Sequence, residues 1–105
     1  MLTDTPLCVA DVLERAADLI EPEGAWIRGS FVGERNGIEC FCAMGAIDRA
    51  AGTDQDLDET VIFSTLRKVI GRQSIVSWND SPERTQPEVV AALRRAATLA
   101  RAGDA

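Results

Sequence analysis

The chain has 105 residues, with 17 acidic and 11 basic side chains, three cysteines and no histidine, and its net charge is −6. This length suits a single domain over residues 1–105 that buries roughly two thirds of its unfolded surface. No apolar run approaches the roughly 20 residues of a membrane span, and no signal sequence opens the chain, so we expect a cytoplasmic protein. An odd cysteine count without a signal sequence favours free thiols over disulfides.

Charge is distributed unevenly along the chain. Residues 1–59 carry thirteen acids against four bases, whereas residues 60–105 carry four acids against seven bases. Ordinary solvated surface is one explanation, and a contact surface for a basic protein partner, or for a second copy in a head-to-tail homodimer, is the other. Direct binding of nucleic acid is not expected, because the acidic half would be repelled by phosphates and the basic cluster is small.

The chain opens with a pattern typical of an amphipathic helix. Thr5 and Pro6 can serve as cap and first helical residue, and apolar side chains then recur at helical spacing up to Ile20. The sequence predicts a first helix over Pro6 to Ile20, which the proline and glycine of residues 21–24 end.

A hairpin is predicted next. The segment from Ala25 to Val32 is rich in strand formers, and Asn36-Gly37 beyond it is the strongest short signal for a hairpin turn. A second strand from Ile38 to Phe41 leads into a helix from Phe41 to Ala51 that Gly52 ends. Small residues dominate this helix, so we expect it to be central and to contact both the first and the last helices.

The second half of the chain predicts two further helices. An acidic loop, Thr53 to Asp58, precedes a third helix. Asp58 is its expected N-cap, Leu57 can form a hydrophobic staple with Ile62, and Gly71 is the expected C-terminal cap. Its expected buried residues are Ile62, Phe63, Leu66, Val69 and Ile70. Ser74 to Trp78 can add a short strand or extended segment, and Thr85 and Glu88 form a capping box before a last helix over Gln86 to Arg101. The predicted fold class is therefore α+β: a small, mainly helical domain of about four helices with a β-hairpin and an optional third strand.

Cys40 and Cys42 invite a metal or redox interpretation, because closely spaced thiolates bind soft metals. Zinc sites normally need four ligands, and Cys8 is the third and last cysteine of a chain without histidine. Cys42 near a helix N-terminus could also be a nucleophile, but the usual histidine base is missing. Buried packing is the simpler interpretation, and no catalytic residue, metal or cofactor is predicted.

Trp78-Asn79-Asp80 is the best candidate for a polar site. Trp78 can fill the core while Asn79 and Asp80 fix the turn into the last helix. Alternatively, Asn79, Asp80, Arg84 and Thr85 line a small pocket beside Trp26 or Trp78, and Cys42 is a further candidate member of this pocket. Nucleotide binding has little support, because the glycines lack the context of a phosphate-binding loop.

Four carboxylates recur along one face of the first helix at spacings of three, four and three residues. They are Asp11, Glu14, Asp18 and Glu21. Such a stripe is usually a solvated face, but it can also present negative charge to a partner. We expect it to be the partner-contact surface.

Several segments together resemble a known protein family. They are Glu21-Pro22, Trp26, Cys42-Ala43-Met44-Gly45-Ala46, Trp78-Asn79-Asp80 and Thr85-x-x-Glu88. In this order they resemble a family of short uncharacterised proteins of actinobacteria and their phages, and the likeness covers most of the chain. The resemblance implies that Cys42, Gly45, Ala46, Asn79 and Asp80 belong to the family pattern. Many relatives carry a histidine where Gln86 stands here, which weakens any acid-base role for that position.

Two functions follow as hypotheses. The first is a non-enzymatic protein-interaction or regulatory module, encoded by a phage or mobile element, that binds a partner through its acidic face. The second is a small-molecule-binding or enzymatic domain with a pocket around Cys42, Asn79 and Asp80. The second would gain support if Cys42 and the Trp78-Asn79-Asp80 segment were adjacent in space.

Overall fold

The structure is a computed structural model that describes residues 8–52, 59–71 and 73–102. These residues form five helices and a two-stranded antiparallel hairpin, which confirms the predicted α+β class. In chain order the elements are α1 (Val9–Ile20), β1 (Val32–Arg35), β2 (Ile38–Phe41), α2 (Ala43–Ala51), α3 (Glu59–Ile70), α4 (Ile75–Asn79) and α5 (Gln86–Arg101).

Helix α1, rather than α2, is the centre of the packing. It contacts α5 most extensively, then α2, and it also contacts α3 and β2. Helix α2 packs on α1, as predicted, and on α4, whereas any contact with α5 is minor, so α2 is not the central helix that the sequence predicted. Helix α1 can pack against α5 and α2 at once because its apolar stripe is wide. Leu13 and Ile20 are fully buried along with Ala16 and Ala17.

The first helix begins later than predicted. Cys8 has an extended backbone and precedes the first helical residue, Val9, while Thr5 and Pro6 lie outside the described residues. The predicted acidic loop, the Asp58 cap and the Leu57 staple also lie outside them. In α3, Ile62, Leu66 and Ile70 are buried as predicted, whereas Phe63 and Val69 are only half-buried.

The hairpin turn lies where the sequence predicted it, but the first strand does not. Asn36 and Gly37 both have positive φ, as a two-residue type I′ turn requires, and this turn pairs Arg35 with Ile38 and Val32 with Phe41. The strand is therefore Val32–Arg35, whereas the predicted strand over Ala25 to Val32 is mostly irregular. That segment instead adds one bridge, in which Ile27 N donates to Phe41 O and Phe41 N donates to Ala25 O.

The segment predicted as a third strand is the short helix α4. The β-branched Ile75 and Val76 favour a strand locally, but the Ser74 side chain caps the helix by accepting a hydrogen bond from Ser77 N at 3.3 Å. The helical turn places Ile75, Trp78 and Asn79 on one buried face. Tertiary burial therefore overrides the local preference, and the described residues contain five helices and no third strand.

The last helix follows the prediction closely. Thr85 and Glu88 form the capping box, and α5 runs over Gln86–Arg101. Gln86 has a second role, since its Nε2 lies 2.6 Å from Ile20 O and 2.7 Å from Pro22 O at the C-terminal end of α1. Carbonyls at a helix end have no partner inside the helix. The Gln86 amide therefore links α5 to the end of α1, and these two helices share the most extensive contact in the fold.

Candidate functional site

Asn79, at the end of α4, joins three distant segments of the chain. Its Oδ1 accepts hydrogen bonds from Trp26 Nε1 at 2.8 Å and from the backbone N of Ala43 at 3.0 Å. Its Nδ2 donates to Ile27 O at 3.1 Å and to Asp80 Oδ1 at 3.0 Å. The side chain is fully buried and all four of its hydrogen-bonding positions are used. Asn79 therefore fixes α4 against the loop before the hairpin and against the start of α2.

Asp80 extends this network toward the surface. Its Oδ1 also accepts a hydrogen bond from Gly29 N at 3.0 Å, whereas Oδ2 accepts none from the described residues. Arg28 adjoins Gly29 in sequence, and its Nη1 donates to the carbonyls of Ser81 and Pro82, each at 3.0 Å. The carboxylate is thus held in place through one oxygen and keeps the other available.

Cys42 caps helix α2 and shares a pocket with Asp80. Its sulfur accepts a hydrogen bond from Gly45 N at 3.4 Å. Burial, more than any other influence, raises the pKa of the Cys42 thiol above its ordinary value, and the charge of Asp80 raises it further. The group is therefore a neutral thiol at physiological pH, which is the wrong form for nucleophilic attack.

The pocket itself has a volume of about 260 Å³ and lies between the loop before the hairpin and α4. Its lining residues are Gly29, Ser30, Phe31, Cys42, Val76 and Asp80. The structure thus brings together two members of the predicted pocket, Cys42 and Asp80, and places Asn79 behind its wall. Ser30, Phe31 and Val76 were not predicted as pocket residues, because their segments were predicted to be strands. In the structure Ser30 and Phe31 precede β1, and Val76 lies in helix α4.

Trp78 and Arg84 belong to a different surface depression. Arg84 Nε donates to Trp78 O at 2.9 Å, and its guanidinium carbon lies 4.4 Å from the centroid of the Trp78 ring. Both line a depression between α3 and α5 with a volume of about 310 Å³. Their stacking clamps the turn between α4 and α5, so these two predicted residues do not lie at the Cys42 and Asp80 pocket.

The acidic stripe of α1 faces arginines of α5. Arg94 contacts Glu14 at 2.7 Å, Asp18 at 2.9 Å and Glu21 at 3.1 Å, and Arg101 contacts Glu14 at 2.9 Å. Asp11, the fourth member, has no ion pair among the described residues. Much of the negative charge is therefore compensated within the chain. These contacts do not test whether the stripe binds a partner, so that role stays a prediction.

A surface groove beside the hairpin was not predicted from the sequence. Phe31 and Val32 are 57% and 48% exposed and border a groove of about 350 Å³ between the hairpin, α2 and α3. The remaining lining residues are Met44, Gly45, Asp48, Glu59 and Phe63. The turn at Asn36-Gly37 could have indicated this exposure. It sets the strand register, and that register places Val32 and Ile38 on opposite faces of the hairpin.

The fold and these sites define a small α+β domain whose described residues contain no group of three or more ligands placed to bind a metal ion. The chain belongs to a family of unknown function, DUF6197, which matches residues 4–99. No curated protein and no solved structure shows significant similarity to it. Among the described helices, none has the length and apolar character needed to cross a membrane.

Proposed function

We propose that this protein is a non-enzymatic protein-binding module and that the groove beside Phe31 and Val32, here called the hairpin groove, is its contact surface. The exposure of these two large apolar side chains at the edge of one groove carries the proposal. Exposed apolar surface of this kind marks interaction sites, because leaving it in water is unfavourable unless a partner covers it.

The chemistry of the hairpin groove indicates the kind of partner. Its walls include the half-buried side chains of Met44 and Phe63, and methionine adapts readily to different apolar partners. Asp48 and Glu59 lie at its edge, and neither forms an ion pair with another described residue. An apolar side chain close to a lysine or arginine therefore complements this groove both in shape and in charge.

The hairpin groove is favoured over the acidic stripe of α1 because of where the compensating cations lie. Arg94 and Arg101 already contact three of the four stripe carboxylates. A basic partner would have to displace these internal contacts, whereas Asp48 and Glu59 have none to give up in the described part of the chain. Binding of a basic partner at the stripe is one alternative to the hairpin groove, and head-to-tail homodimerisation is another.

The absence of catalytic groups in the sequence supports a binding role over an enzymatic one. The chain has no histidine, and the Cys42 thiol is held in its neutral form by burial. Asn79 is occupied in all its hydrogen-bonding positions by structural partners. Three unpaired thiols also suit a reducing compartment, so we place the module in the cytoplasm. Because the sequence resembles proteins of phages and actinobacteria, we further propose that a phage or another mobile element encodes it.

Selection from a random peptide display library tests the proposal. The wild-type chain serves as bait, and the variant Val32→Ser, whose altered side chain lines the hairpin groove and not the pocket of Cys42 and Asp80, serves as the counter-selection. Enriched peptides should combine an apolar side chain with a nearby lysine or arginine and should be lost on the Val32→Ser variant. Peptides that bind both baits equally, or that carry no basic residue, would refute the hairpin groove as the contact surface.

A matched control uses the other face of the hairpin. Ile38 is 47% exposed and lies opposite Arg35, away from the hairpin groove. Ile38→Ser removes a comparable exposed apolar side chain without touching the proposed site. The selected peptides should bind this variant as they bind the wild type.

A further inference from the structure

We propose that the pocket formed by Phe31, Cys42, Val76 and Asp80 binds a primary ammonium group carried on a short apolar arm. This pocket, here called the Asp80 pocket, is separate from the hairpin groove, and Phe31 is the one side chain that lines both. The inference goes beyond the proposed protein-binding role and does not depend on it.

Asp80 supplies the charge that recognises the ligand. Gly29 N and Asn79 Nδ2 hold its Oδ1, each at 3.0 Å, so the carboxylate is oriented before any ligand arrives. Oδ2 accepts no hydrogen bond from the described residues and belongs to a side chain that lines the pocket. Arg28, which adjoins Gly29 in sequence, donates to two backbone carbonyls, and Arg84 donates to Trp78 O and to Glu88. One fixed negative charge is therefore left for a ligand cation.

The single available oxygen distinguishes an ammonium from a guanidinium. A guanidinium gains its advantage from two parallel hydrogen bonds to both oxygens of a carboxylate. Here Oδ1 is already used by two donors, so the geometry offers one strong bond rather than a pair. An ammonium group needs only one such bond, because its charge is compact and its remaining protons can turn toward the Ser30 hydroxyl or toward water.

The other walls suit an apolar arm of limited size. Phe31 and Val76 provide apolar surface, and the Phe31 ring can also interact with the cation through its π face. The neutral Cys42 thiol adds no second charge, so a monocation balances the pocket. A volume of about 260 Å³ lies just below the range of about 300–1,000 Å³ typical of small-molecule sites, which favours a ligand of few heavy atoms.

Titration of the full chain with benzylamine, followed by amide chemical shifts, tests the inference. Benzyl alcohol is the matched neutral probe, since it has the same ring and reach without the charge. We expect benzylamine to shift the amides of Gly29, Ser30 and Asp80 saturably, and benzyl alcohol to bind at least about tenfold more weakly. Equal affinities, or no saturable shift at these amides up to about 10 mM, would overturn the proposal.

Asp80→Asn is the decisive variant. Asparagine retains the Oδ1 acceptor for Gly29 N and Asn79 Nδ2 while removing the charge, so the fold is expected to survive. Benzylamine affinity should fall at least about tenfold, whereas Asp48→Asn in the hairpin groove should leave it unchanged. If Asp80→Asn does not fold, Phe31→Leu replaces it, because this exposed ring can be changed without disturbing the core. Unchanged affinity in the folded variant would contradict the assignment.

A lysine peptide tests whether the ammonium group comes from a free small amine or from a lysine side chain of a protein. Acetyl-Gly-Lys-Gly-amide and its norleucine counterpart are titrated under the same conditions. Binding of benzylamine alone assigns the Asp80 pocket to free small amines, and binding of both amines extends it to lysine side chains of a protein. Failure of both would refute an ammonium site.

Discussion

The indole Nε1 of Trp26 lies 2.8 Å from the Oδ1 of Asn79, although 53 residues separate them along the chain. The same oxygen accepts a hydrogen bond from the backbone N of Ala43 at the start of α2. One amide side chain thus organises the loop that leads to both the hairpin groove and the Asp80 pocket. The two candidate sites depend on this buried network for their shape.

Asn79→Ala is expected to destabilise the fold by at least about 3 kcal/mol, because several buried polar groups lose their partners together. Trp26→Phe removes only one of these bonds and should cost about 1–2 kcal/mol. Chemical denaturation of the two variants gives both values. Similar small losses for the two would show that the network is not cooperative.

Gly45→Ala should destabilise the protein by about 1–3 kcal/mol, even though alanine is the better helix former. A Cβ at this position would overlap the backbone carbonyl of Phe31, which also accepts a hydrogen bond from Cys42 N. The unfolding midpoint measures the effect. A stabilised Gly45→Ala variant would mean that Phe31 and α2 are not in close contact.

Gln86 is expected to stabilise the end of α1 through its side-chain amide. Gln86→Leu removes the donor to Ile20 O and Pro22 O and should cost about 1 kcal/mol. Gln86→His restores a ring N–H donor and is expected to recover part of the loss. Thermal unfolding of the two variants makes the comparison, and equal midpoints would assign Gln86 no capping role.

The ion pairs of Glu14 predict a pH dependence of stability. Hydrogen bonds from Arg101 and then Arg94 hold the pKa of the Glu14 carboxyl below its usual 4.5 in the folded protein. The folded state therefore favours the charged form, so this stabilisation is present above pH 4.5 and is lost as the pH falls through the lowered pKa. Solvent screens the pairs, which limits their contribution to about 1 kcal/mol.

Urea unfolding of the wild type and of Glu14→Gln over a pH series measures this contribution. The stability difference between them should be constant near neutrality and should shrink as the pH falls below 4.5. Asp11→Asn is the control, since Asp11 has no ion pair with a described residue. A difference that persists unchanged in acid would rule out the pairs as its source.

The parts of the fold that local sequence determines were predicted well. The capping box of Thr85 and Glu88 and the turn at Asn36-Gly37 were found because their signals lie within a few residues. Helix α4 was missed because burial of Trp78 and Asn79 outweighs the strand preference of Ile75 and Val76. Long-range packing, which periodicity does not encode, decided that segment.

The candidate sites were only partly predictable for the same reason. Cys42 and Asp80 were singled out by residue type, and the structure brings them to one pocket. The pairing of the α1 stripe with Arg94 was not foreseen, because up to 80 residues separate Arg94 from its partners. The hairpin groove depends on strand register, and the first strand was placed several residues too early.

The affinity of a peptide selected on the hairpin groove is the decisive measurement. Isothermal titration would compare the wild type with Val32→Ser and Ile38→Ser, two exposed apolar side chains of 48% and 47% exposure that border different surfaces. The protein-binding role predicts at least a tenfold loss for Val32→Ser and no change for Ile38→Ser, since interface anchors commonly contribute about 1.4 kcal/mol or more. Equal affinities for all three proteins would contradict it.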